Sequence, residues 1–175
     1  MEQLPPGVRK LITAIDTLSE WSGRVFAWLI VPLVLGLTYE VIARYAFDAP
    51  TIWAYDVGYM LYGSHFMLGA AYTLLRKGHI RTDFFYEKWS PQRQGLVDAA
   101  LYLFLFFPGV FFFFLAGWDS ASHSWMLRET SEASPWRPPL YPFKAVMPVV
   151  AALLFIQGIS EFIKSVWAAK TGRWL

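Results

Sequence analysis

The 175-residue chain is 56% hydrophobic and 19% aromatic but only 16% charged, against roughly 45–50% apolar and about 25% charged in an ordinary soluble domain. A soluble chain this short has little interior in which to hide so much apolar surface, so composition points to an integral membrane protein. The formal charge of +2 is too small to indicate a nucleic-acid partner. The absence of cysteine removes disulfides, thiol nucleophiles and thiolate metal sites.

The first predicted element is an amphipathic helix over residues 8–21. In VRKLITAIDTLSEW, Val8, Leu11, Ile12, Ile15 and Leu18 share one helical face, and Arg9, Lys10, Thr13, Asp16 and Thr17 lie elsewhere around it. That spacing fits a helix lying in the membrane interface. A signal peptide fits less well, because the charged stretch is long and no small-residue cleavage site follows the apolar run.

Four transmembrane helices follow, over about 24–47, 54–76, 96–119 and 143–168. Their charge-free cores run over 25–39, 57–75, 99–118 and 145–160. A crossing needs about 20 mostly apolar residues, so the second and third pass unaided. The first requires Glu40 and Arg44, and the fourth Glu161, to snorkel or pair. Helices of a soluble bundle would each carry a polar stripe, and LYLFLFFPGVFFFFLAGW carries none. The chain therefore reads as one all-α membrane domain with no internal repeat.

Basic residues set the orientation. With the N-terminus in the cytoplasm, eleven lysines and arginines fall inside and four, Arg44, Arg128, Arg137 and Lys144, fall outside. Four crossings then place both termini in the cytoplasm. Trp21, Trp53, Trp118 and Trp167 stand near span ends, where interfacial belts form. The longest external loop, MLRETSEASPWRPPLYPFK, contains Pro135, Pro138, Pro139 and Pro142, which deny it a regular helix.

Candidate sites each have a structural alternative. His79 and Asp83 are four residues apart and share a helical face only if Gly78 does not end the helix; two ligands without a third make a poor metal site. A haem held between two histidines would make the chain the four-helix anchor of a redox complex. However, His65 lies mid-span, His123 beyond the third span and His79 at the inner end of the second, at unmatched depths. A hydrogen-bonded His65 inside the bundle is the favoured reading. Glu40 and Arg44 have the favourable acid-first spacing of four, and Asp56 opens the second span. We expect Arg44 and Asp56 to meet as a structural pair rather than to bind sodium or a proton. Gly58, Gly63, Ser64, Gly69, Ala70 and Ala71 give the second span a small-residue surface for close helix approach. Pro108 and Gly109 are expected to bend the third span, whose phenylalanine run at 111–114 suits lipid or a broad partner surface. No nucleophile–base pair, phosphate loop or gated pore is evident, so the chain reads as a subunit of something larger and not as an enzyme.

The order of features over RYAFDAPTIWAYDVGYMLYGSHFMLGAAYTLLRKGHIRTDFF resembles the small membrane subunit (DctQ-type) of tripartite ATP-independent periplasmic (TRAP) transporters. That pattern is an arginine ending the first span, a tryptophan with an acid three residues on, and a Gly-Ala-rich second span closing on a histidine and an aspartate. Here these are Arg44, Trp53, Asp56, Gly69 with Ala70 and Ala71, His79 and Asp83. Asp56 departs from the pattern, since many relatives carry glutamate there. The resemblance implies a partner, the large membrane subunit that carries substrate and sodium sites. It also implies a periplasmic substrate-binding protein that delivers an organic acid, and uptake driven by an ion gradient at the cytoplasmic (inner) membrane. In that setting the small subunit is a scaffold with no cofactor of its own.

The basic knot LLRKGHIRTDFF then divides in two. Arg76, Lys77 and Arg81 meet anionic headgroups and anchor the chain. Gly78 turns the backbone, and His79 and Asp83 fasten that turn by hydrogen bonds, within the chain or against the large subunit.

Overall fold

The computed structural model describes residues 4–78 and 86–175; His79, Arg81 and Asp83 lie outside the described residues. Helix α1 (Pro6–Ala27) opens on a proline in its first turn, where the missing N–H costs nothing and φ is preset. It leads into α2 (Ile30–Ala46) through a tightened turn, in which Trp28, Leu29 and Val31 each donate to the carbonyl three residues back. Pro32 is the cause. It has no N–H for the Trp28 carbonyl and its ring crowds that oxygen, so the backbone winds locally as a 3₁₀ turn.

The helix expected apart over 8–21 is therefore the first half of one long stretch, Pro6–Ala46. Its buried seam is Ile12, Ile15, Ser19 and Gly23; Ile12 and Ile15 come from the apolar face read from the sequence, whereas Leu11 and Leu18 of that face remain exposed. The reason is tertiary: α1 packs on the bundle, where its polar residues find partners.

Helices α3 (Ala54–Leu68) and α4 (Ala70–Leu75) occupy the second predicted span. They are separated at Gly69, across which the ladder continues: Gly69 donates to His65 and Thr73 donates to Gly69. The end of α4 is a Schellman motif, with Lys77 N bonded to Leu74 O and Gly78 N to Thr73 O. Lys77 takes the left-handed position at φ 54°. Gly78, expected to turn the backbone, instead supplies the outer bond of the motif. The same motif ends α6 (Phe107–Leu127), where Arg128 is left-handed and Glu129 N reaches Ser124 O. Both helices thus place a cation where the negative end of the helix dipole favours one.

Between α5 (Pro91–Leu101) and α6 lies a π-helical turn, Tyr102–Phe106. Phe107 N bonds to Tyr102 O, five residues back. The irregularity sits one turn before Pro108, as the bend expected there requires. A short α7 (Tyr141–Lys144) precedes α8 (Val146–Thr171), which stops at Gly172 with φ 71°. Among the described residues, three stretches are long and apolar enough to cross a membrane: Pro6–Ala46, Pro91–Leu127 and Tyr141–Thr171. The second predicted span, expected to pass unaided, is not among them. It is divided at Gly69 and carries Tyr59, Tyr62, Ser64, His65 and Tyr72 in its middle.

Helix α8 is the axis of the bundle, packing against α1, α3, α4, α5 and α6. Its approach to α5 is the closest available to two helices. A Cβ on Gly95 would lie 2.5 Å from both Ala169 N and Ser165 O, backbone atoms that cannot rotate away. Elsewhere Gly23 of α1 receives the Tyr72 side chain, and Gly158 of α8 receives the Phe106 ring from the π turn. Gly95→Ala should therefore push α5 from α8 at an overpacking cost of about 1–3 kcal/mol. Gly109→Ala, where a Cβ meets nothing within 4 Å, should be neutral or stabilising. Thermal unfolding of the two variants in one detergent checks the contrast.

Candidate functional site

Two polar clusters hold these apolar helices together. The first gathers around the start of α3 and the loop between α6 and α7. Asp56, in the first turn of α3, is 1% exposed. Its Oδ1 accepts from Ser131 Oγ at 2.6 Å and its Oδ2 accepts from Ser134 Oγ. Each serine also accepts a backbone N–H from two residues on, Ala133 and Trp136, at 3.2 Å. Such local bonds shape a proline-rich segment that has few donors of its own. The loop closes through Ser131 N to Pro138 O and Leu140 N to Glu129 O. Lys144 Nζ lies 2.6 Å from Glu129 and holds that carboxyl below its usual range. This tie is complete above the ordinary carboxylate range and is lost as pH falls through the depressed value.

The expected Arg44–Asp56 pair does not form. Arg44 donates to Glu40, one turn back on the same helix face, and the other Glu40 oxygen accepts from Thr51 N at 2.9 Å and from Thr51 Oγ1. Glu40 already offers the short-range partner, while Asp56 is enclosed by serines 75 or more residues away in sequence. Trp53 stacks on Tyr39 with ring centroids 5.9 Å apart, so it fastens the start of α3 to α2.

The second cluster lies between α1 and the latter half of α8. Gln157 is fully buried. Its Oε1 accepts from Ser19 Oγ at 2.7 Å, and its Nε2 donates to Asp16 at 3.1 Å and to Glu161 at 3.2 Å. Ser160 Oγ donates to Asp16 at 2.7 Å. Lys164 Nζ bridges Asp16 at 2.8 Å and Glu161 at 2.7 Å. Beside them Glu20 accepts from Arg24 and from Arg76, which also lies over the Tyr72 ring. Arg76, expected at the headgroups, thus ties α1 to the end of α4. Lys77 has its ammonium 4.6 Å over the Trp174 ring.

Gly69 marks the break in the second span, Ala70 is half-buried and Ala71 buried. His65 Nδ1 lies 3.2 Å from the Phe26 carbonyl oxygen, the hydrogen bond within the bundle that the sequence favoured. Among the described residues, no group of three histidine or acidic side chains could hold a metal ion.

Sequence reasoning missed the second cluster, although its signal was present. Gln157, Ser160, Glu161 and Lys164 stand at i, i+3, i+4 and i+7 in an otherwise apolar helix, a polar stripe that must face protein. Ser131 and Ser134 carried no such signal, because their partner lies on another helix.

Asp56→Ala should leave two serine hydroxyls without their charged acceptor, at about 1.5–3 kcal/mol for each bond. Limited proteolysis should find the 128–140 loop newly cleavable. Stability losses should be non-additive for Asp56→Ala with Ser131→Ala and additive for Asp56→Ala with Arg44→Ala.

Removing the cation from the seam should cost more. Lys164→Met strands two carboxylates in a largely covered site, at about 3–5 kcal/mol. Adding Glu161→Gln and Asp16→Asn should recover most of the loss, as read by thermal unfolding.

No curated protein matches the chain. A family model described as tripartite ATP-independent periplasmic transporters, DctQ component, matches residues 33–167. That span covers α3 to α7 entire, most of α2 and α8 up to Trp167, and with them both partners of every contact in the Asp56 loop cluster. With three helical stretches among its described residues long and apolar enough to cross a membrane, the chain is a multi-pass membrane protein that belongs to the DctQ component family of TRAP transporters.

Proposed function

We propose that this chain is the small permease subunit of a secondary-active transporter. It scaffolds the large membrane subunit for ion-gradient-driven uptake of an organic acid, which a periplasmic substrate-binding protein delivers. Family membership over residues 33–167 carries this reading.

The physical character of the molecule supports a scaffold. The two clusters spend their charges on joining the chain's own helices, not on lining a path. The outer surface is apolar. On α2, Leu33 is the single buried residue, while Val34, Leu35, Val41 and Ile42 are exposed. Phe111 and Phe112 of α6 are exposed likewise. Such faces suit lipid on one side and a large apolar partner on another. In this reading Arg44, Trp53, Asp56, Gly69 and Ala70 shape the face offered to the large subunit, and His79 and Asp83 complete it at the inner end. Helices α3 and α4 together make the fourth crossing. The eleven-to-four basic asymmetry places both termini in the cytoplasm, in the inner membrane of a bacterium or archaeon. The sodium gradient acts through the large subunit.

Proteoliposomes holding this chain alone should take up no organic acid under a sodium gradient. Uptake should appear only when the large subunit and the binding protein are both supplied. Robust uptake by the isolated chain would overturn the scaffold reading.

A further inference from the structure

Where α1 begins and α4 and α8 end, the structure contains an open cavity of about 660 Å³, within the range of about 300–1,000 Å³ typical of ligand sites. One wall is the α1–α8 seam, where Lys164 stands between Asp16 and Glu161 and the three together carry one net negative charge. Two further cations line it, Arg9 from α1 and Lys77 from the end of α4. Among the described residues neither is ion-paired. Lys77 occupies its left-handed position, at φ 54°, where a residue with a Cβ is strained. Its ammonium rests on Trp174, a contact to a ring face that leaves N–H donors for an anion. Leu4, Ile12 and Leu75 supply apolar wall between the charges.

A second groove of about 420 Å³ adjoins the cavity and shares Leu4 and Trp167 with it. It runs over Phe162, Ile163 and Val166 of α8, with Lys170 toward its end. A cavity with two cations outside any ion pair among the described residues, adjoining an apolar groove along a membrane-length helix, matches one kind of molecule. We propose that the two together bind a single anionic phospholipid, its phosphate between Arg9 and Lys77 and an acyl chain over Phe162, Ile163 and Val166. A free phosphate would use the cavity and leave the groove without purpose. Basic pockets between helices on the cytoplasmic side are suited to such headgroups. The inference rests on the proposed crossing of the bilayer by α8 with its C-terminal end at the cytoplasmic side and not on transport, so an absence of organic-acid uptake in reconstitution would leave it standing.

The test is retention of lipid by the purified full-length chain, counted by native mass spectrometry after titration with phosphatidylglycerol, phosphatidylcholine or inorganic phosphate. One phosphatidylglycerol should be retained in preference to phosphatidylcholine. Arg9→Gln and Lys77→Gln should each weaken that retention about fivefold. The charge-keeping Arg9→Lys and Lys77→Arg should preserve it, as should Lys10→Gln outside the cavity. Ile163→Trp should lower retention of both lipids by filling the groove. Circular dichroism of each variant verifies that the helices are intact. Undiminished retention in the Arg9→Gln/Lys77→Gln variant would overturn the proposal. So would displacement of the lipid by inorganic phosphate, which would assign the cavity to a free anion. Unchanged lipid retention with lost co-purification of the large subunit would assign the cavity to a protein contact.

Discussion

A polar side chain inside an apolar helix bundle must find its partner within the protein, because lipid offers none. Gln157 meets that constraint at the greatest depth. Its carbonyl oxygen accepts from Ser19, and its amide nitrogen donates to Asp16 and Glu161. Both carboxylates in turn hold Lys164. Gln157 and Lys164 reach Glu161 within α8 itself, but the Gln157 carbonyl oxygen and the Asp16 carboxylate find their partners only when α1 lies against α8, so burial of one amide helps dictate where a whole helix docks. The placement of α1 then sets the end of α4, through Glu20 and Arg76 and through Tyr72 seated against Gly23.

The same constraint explains the Asp56 cluster. A carboxylate in the first turn of a helix is favoured by the helix dipole, but a buried one also needs hydrogen-bond donors. The proline-rich loop supplies two serine hydroxyls and folds around them. A segment that lacks regular structure is thereby pinned to α3 and, through Glu129 and Lys144, to the end of α7. Several hydroxyls elsewhere are satisfied within their own helices: Thr13, Thr73 and Ser165 each donate to the carbonyl four residues back. Much of the buried polar inventory is thus paired within the protein, and large apolar side chains such as Val34 and Leu35 of α2 and Phe111 and Phe112 of α6 are left on the outer faces. A subunit built this way offers a fixed surface to its surroundings, which is what a scaffold needs.

Much of this was legible in the sequence. Long charge-free runs with aromatic residues at their ends specify helices in a membrane by composition alone, since the solvent and not the neighbour decides that preference. The acid-first Glu40–Arg44 pair is a local consequence of helical spacing and the structure contains it, as it contains the hydrogen bond expected of a mid-span His65; ahead of Pro108 it contains a π-helical turn. The kinship with the DctQ component likewise rests on residues close together in the chain, from Arg44 through the Gly-Ala-rich second span.

What the sequence could not decide was which face of each helix meets which neighbour. Helical spacing placed Val8, Leu11, Ile12, Ile15 and Leu18 on one side of α1, but of these only Ile12 and Ile15 join the buried seam, with Ser19 and Gly23, because the polar stripe of α8 draws Ser19 to that surface. Asp56 was matched with the nearest arginine, yet tertiary structure gave it serines from a distant loop and gave Arg44 to Glu40. Proximity in sequence ranks only local partners, whereas burial selects by three-dimensional enclosure. The chain by itself determined its solvent, its helices and its family; the pairing of α1 with α8, of Asp56 with its loop, and of Lys77 with Trp174 arose only when packing brought distant residues into one low-dielectric volume, where an unpartnered polar group is too costly to leave.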